Sequence, residues 1–150
     1  MNLNYLQRLK ILYEKIPNEF SRAIFYFICK KYQEHLKNPS VSKNATKKEI
    51  LLDLIDKKIL SMSYDKETKK EKLPDDRAVR SAVRKLMKSG FPILSSSTSA
   101  GYYICDNTNE ISQPFNENHK RALKLLAMEK SYQKMSGLVS GQMKTVLNYY

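Results

Sequence analysis

A chain of 150 residues has room for one modest domain with an appendage or for two very small ones, and 41% apolar content excludes disorder throughout. Twenty-seven Lys and Arg against fifteen Asp and Glu leave a formal charge of +12, which favours an anionic partner through steering and counterion release. The bland alternative is a lysine-rich surface that only keeps the chain in solution.

Leu3 to Ile16 places Leu6, Leu9, Tyr13 and Ile16 at spacings of three and four, the signature of an amphipathic helix. Pro17 and Asn18 interrupt it, and Asn18 is suited to cap a second helix from Glu19 to about Leu36. That helix is apolar around much of its circumference and must be buried on more than one side. Its run Ala23 to Cys29 is too short to cross a bilayer. Cys29 and Cys105 lie far apart in apolar stretches and read as small buried thiols of a reducing compartment. No basic segment followed by an apolar stretch and a cleavage site opens the chain, so no signal peptide is expected and the cytoplasm is the expected location.

Asn38 to Asn44 is turn-rich and is taken as a domain boundary, with residues 1–38 as an N-terminal helical segment. Thr46 with Glu49 forms a capping box ahead of Ile50, Leu51, Leu54, Ile55 and Leu60. Charge without periodicity from Asp65 to Lys72 predicts an exposed connection.

The next stretch, Leu73 to Ile104, organises the chain. At roughly 100° per residue, Arg77, Arg80, Arg84 and Lys88 share one arc of a helix, and Val79, Val83, Leu86 and Met87 share the other. Asp75 is placed to cap this helix and Gly90 to end it. Phe91 to Leu94 and Tyr102 to Cys105 are β-prone and joined by Ser, Thr, Ala and Gly, a hairpin in which Gly101 supplies unusual dihedrals. Asp106 to Asn109 is a polar turn, and Pro114 is expected to interrupt any helix begun at Glu110. Ala122, Leu123, Leu126, Ala127 and Tyr132 continue a helical pattern from Asn116 to about Met135. Ser136 to Gly141 should break it with two glycines, leaving 136–150 as a tail.

The order DRAVRSAVRKL, SGFPI, a serine-rich turn and GYYI resembles the winged helix-turn-helix at the N-terminus of biotin-protein ligase repressors, and is similar to small phage-encoded proteins with that pattern. The resemblance implies a recognition helix at about Asp75 to Ser89, a wing at about Ile93 to Cys105, and a trailing helix that pairs two subunits. The chain departs from the pattern just before the recognition helix, where YDKETKKEK stands in place of an apolar helix and tight turn. The expected fold is therefore mainly α with a small antiparallel hairpin: a winged helix-turn-helix at 45–106 with additional helices, one of them at 110–135.

Guanidinium forks match guanine edges and phosphates alike, so Asp76, Arg77, Arg80, Ser81, Arg84, Lys85 and Lys88 are candidate contacts to double-stranded DNA. Other electrostatic roles, or a merely solvated face, are the alternatives. Ser96, Ser97 and Thr98 offer small hydroxyl donors to a phosphate backbone, although no basic residue occupies the hairpin tip. His35 and His119 lie at no metal-ligand spacing, and phosphate-loop, dinucleotide and nucleophile-elbow motifs are missing. No enzyme, metal or cofactor is expected. The expected function is duplex DNA binding as a phage or mobile-element regulator of transcription or replication, as a homodimer through Asn116 to Met135. The alternative is an interaction module that inhibits a host protein or nucleoprotein complex.

Overall fold

The structure, a computed structural model, describes residues 4–140. It is mainly helical with small antiparallel sheets, in the order α1 (Tyr5–Glu14), α2 (Glu19–Lys37), β1 (Ala45–Thr46), α3 (Lys47–Asp56), β2 (Ser63–Asp65), β3 (Lys70–Lys72), α4 (Arg77–Lys88), β4 (Ile93–Ser95), β5 (Gly101–Ile104) and α5 (Thr108–Val139). The chain divides after Asp106 into two compact units. Among the described residues no helix is long and apolar enough to cross a membrane.

Local chemistry sets most helix ends of the first unit. Asn4 and Gln7 form a capping box on α1, and Asn18 Oδ1 accepts the Ser21 amide at the start of α2. The Pro17 corner is closed by Arg22, whose Nε and Nη2 donate to the Ile16 carbonyl at 3.0 and 2.6 Å. The box expected at Thr46 and Glu49 is present on α3, both bonds measuring 3.1 Å. That helix stops at Asp56 rather than near Leu60, because Lys58 takes a left-handed φ of 59° and Ile59 donates back to the Leu54 carbonyl. Gly90 ends α4 in the same manner, with φ 87° and the Phe91 amide on the Leu86 carbonyl.

The α2 helix is the hub of the first unit. It touches α1, α3, α4, β1 and β5, and Ile24, Phe25 and Ile28 are wholly buried. Burial of Cys29 beside them pushes its thiol up to about 12. One continuous core joins these residues to Ala45, Ile50, Leu54, Val79, Val83, Ile93 and Ile104. The turn-rich stretch at 38–44 therefore does not separate two cores: its polarity marks a surface crossing within one unit, 1–106. The α2 helix packs against both α3 and α4.

The connection expected to be exposed at 65–72 is exposed from 66 to 72, and it is ordered as a two-stranded hairpin, paired Ser63 to Lys72, Tyr64 to Glu71 and Asp65 to Lys70. The Asp65 side chain accepts the Glu67 and Thr68 amides, and Lys69 closes the loop at φ 53°. Those two amides, with Lys72 at 3.3 Å, hold the Asp65 carboxyl below the usual range.

The main sheet has the order β1-β5-β4. Gly101 pairs with Thr46, and what it supplies there is space rather than unusual dihedrals, because positive φ among the described glycines is confined to Gly90. A Cβ at 101 would lie 2.3 Å from the Ala45 carbonyl oxygen.

In the second unit α5 runs through Pro114 and Gly137 and ends at Val139, with Ser140 as its C-cap. The break expected at Pro114 is therefore corrected, whereas the helix does end inside the 136–141 stretch, four residues later than Met135. Pro114 removes one amide donor, but the turn before it has its own cap, Asn107 Oδ1 accepting the Asn109 amide at 2.9 Å. Gly137 weakens a helix without ending it, and the Ser140 amide closes the last turn on the Ser136 carbonyl. The expected tail from 141 onward, like Leu3, lies outside the described residues.

Gly101→Ala is expected to lower stability by about 2 kcal/mol or more, because the obstacle is backbone and cannot rotate away. Urea unfolding of the variant should show a lower midpoint, and an unchanged midpoint would mean that the β1 to β5 approach is looser than described.

Candidate nucleic-acid interface

The expected recognition helix forms as Arg77–Lys88. Asp75 Oδ1 accepts the Arg77 amide at 2.7 Å, so Asp75 caps from one residue further out than expected. Val79, Ala82, Val83 and Leu86 bury the inner face. Met87, expected with them, sits at the rim and is 36% exposed. Arg77, Arg80, Ser81, Arg84, Lys85 and Lys88 line one concave strip along the outer face. Six of the ten expected contact residues are thus brought together.

Asp76 is not one of them. Its carboxylate receives Lys47 Nζ at 3.3 Å on one oxygen and Arg80 Nε at 3.1 Å on the other. Burial works against its ionisation, yet Lys47 and Arg80 outweigh it and hold the carboxyl below the usual range. Asp76 is therefore an orienting group. Arg77 pairs in turn with Asp75 at 3.2 Å, both largely exposed. Arg84, Lys85 and Lys88 have no ion pair among the described residues. Behind this face, burial raises the Tyr102 phenol; Asp76 adds to the effect and Arg80 and Arg84 oppose it.

The hydroxyl residues of the hairpin do not line the strip. Ser96 Oγ lies 3.1 Å from Ser99 Oγ and accepts the Ser99 amide, so it organises the loop rather than facing outward. Ser97 and Thr98 remain exposed, and Asn44 Nδ2 anchors the loop by donating to Ser99 Oγ at 2.8 Å.

Three lysines outside the expected contacts lie beside the strip. Lys47, Lys48 and Lys72 line a second concavity that shares Arg77 and Arg80 with the strip and also holds Asp75 and Asp76, so positive charge, partly paired, continues onto the first turn of α3 and the base of the β2–β3 hairpin. The pairing of Thr46 with Gly101, and the Lys47 amide on the Ala100 carbonyl at 2.9 Å, fix that turn. A signal did exist. Two lysines in the first turn oppose the helix dipole, a local cost that calls for a compensating role.

Comparison with protein-family models, with curated proteins and with solved structures finds no match to this chain. The resemblance at Leu73 to Ile104 accordingly rests on the residues themselves.

A carboxyl depressed in the folded state stabilises above the ordinary carboxylate range, and that contribution is lost as pH falls through the lower folded value. Asp76→Asn is expected to cost up to about 1 kcal/mol near neutral pH, the scale of partly exposed ion pairs. Urea midpoints of the two proteins should converge as the solution is acidified below that range. A gap that persists unchanged in acid would assign the loss to something other than the Lys47 and Arg80 pairs.

Proposed function

We propose that Met1–Asp106 is a winged helix-turn-helix unit that binds double-stranded DNA, with α4 entering the major groove, in a phage or mobile-element regulator of transcription or replication. The order α2, β1, α3, α4, β4, β5 and the sheet order β1-β5-β4 support the fold reading. The β2–β3 hairpin is an insertion, lengthening the link between α3 and α4 to residues 57–76 where a helix-turn-helix uses a short turn. What carries the functional reading is the strip of five cations and one serine along α4, on a helix whose opposite face is locked in the core.

Roles follow from exposure and pairing. Arg84 is free to reach base edges or phosphate, Lys85 and Lys88 extend the row, and Lys47 and Lys48 add a second set of phosphate contacts. Arg77 and Arg80 exchange weak exposed pairs for phosphate at little cost.

Fluorescence anisotropy with a labelled duplex tests this. Arg80→Ala with Arg84→Ala should abolish measurable binding in moderate salt with little change in thermal stability. Lys47→Ala with Lys48→Ala should weaken binding to all sequences and reduce the salt slope by roughly 2, about one unit per lost phosphate contact. Absence of duplex affinity even at low salt would overturn the proposal and turn the strip toward an acidic host protein.

A further inference from the structure

The α5 helix has thirty-two residues, none of them buried. Leu125, Met128, Tyr132, Met135 and Val139 recur at alternating spacings of three and four, with Leu125 71% and Val139 89% exposed. That is the seam of a coiled coil, in which Leu125, Tyr132 and Val139 take one heptad position (a) and Met128 and Met135 the other (d). One heptad earlier, Asn118 falls at the same position as Leu125. Arg121 takes the other position between them, so the apolar seam begins at Leu125.

We propose that α5 pairs with α5 of a second copy of this chain as a parallel two-stranded coiled coil over residues 124–139. Charge selects this occupant. Glu129 flanks the apolar seam, and its neighbours three and four residues away are Leu125, Leu126, Tyr132 and Gln133. Lys124 flanks the seam on the other side, with Lys120, Arg121, Ala127 and Met128 at those spacings. Neither charge has an opposite partner within helical reach along its own helix, and neither forms an ion pair among the described residues. Being five apart, they face away from each other on one helix. In a parallel pair, however, that spacing sets Lys124 of each copy against Glu129 of the other, twice over. Antiparallel pairing instead brings each flank against its own kind. Leu123 and Leu126 lie outside the seam and take no part in it.

The inference is independent of nucleic acid, so its test contains none. Sedimentation equilibrium of the full chain should give twice the 17.5 kDa chain mass. Lys124→Glu should weaken self-association about tenfold by opposing like charges, and Lys124→Glu with Glu129→Lys should restore it. Both substitutions exchange good helix formers, so circular dichroism should show α5 retained in each. Leu125→Glu with Tyr132→Glu should leave a monomer. A wild-type monomer from micromolar concentration upward would overturn the proposal, whether α5 instead covers its own chain or awaits another protein. A dimer that ignores Lys124→Glu, or one that the double exchange fails to restore, would overturn the parallel register.

Discussion

Burial of Val79 and Val83 against α2 is the contact from which the rest of the first unit takes its geometry. Both valines are essentially inaccessible, and each fully buried aliphatic side chain contributes roughly 1.5–3 kcal/mol. Their position fixes the rotation of α4 about its own axis. Once that rotation is set, Arg77, Arg80, Arg84 and Lys88 have no choice of side, because the same period that turns the valines inward turns them outward. The row of charge is a consequence of the core, and it is as rigid as the core. The Phe91 ring, edge-on to Phe25 at 5.1 Å, holds the far end of α4 against the same helix.

Electrostatics then refines what packing has placed. A bare row of guanidinium and ammonium groups repels itself, and Asp75 and Asp76 relieve that repulsion at the end where α3 adds Lys47 and Lys48. Asp76 ties two elements together: α4 through Arg80 and α3 through Lys47. The unopposed positive charge is left toward the C-terminal half of α4, at Arg84, Lys85 and Lys88, where it also complements the helix dipole.

What could be read from the sequence was what local chemistry decides. The α4 helix was legible because its apolar and basic arcs are cleanly opposed and Gly90 marks its end; α3 began where Thr46 and Glu49 said it would. Two of the errors share one physical origin, conformations adopted without their usual residue. Lys58 and Lys69 take left-handed positions that glycine or asparagine would advertise, hiding the end of α3 and the whole β2–β3 hairpin. The stretch at 38–44 is polar because it lies on the surface, which says nothing about whether the cores on either side are one. Of the candidate site, the row on α4 was visible as a period. Lys47 and Lys48 were not, since only the pairing of β1 with β5 brings the start of α3 to that row.

The second unit obeys a different rule. In α1 to α4 each apolar face has a core to meet, and helix ends follow from caps and left-handed turns. The α5 helix crosses a proline and a glycine that either weaken or end helices elsewhere, and it does so without burying a residue. Propensity and capping alone leave isolated helices marginal, since most helical stability in proteins comes from packing an amphipathic face. A helix this long, with Leu125, Met128, Tyr132, Met135 and Val139 on one side, is therefore incompletely explained by the described residues of its own unit. Its apolar arc carries the same signature that in α4 meant contact with α2. Under the pairing proposed above, the matching surface for α5, an apolar seam flanked by Lys124 on one side and Glu129 on the other, is its own copy.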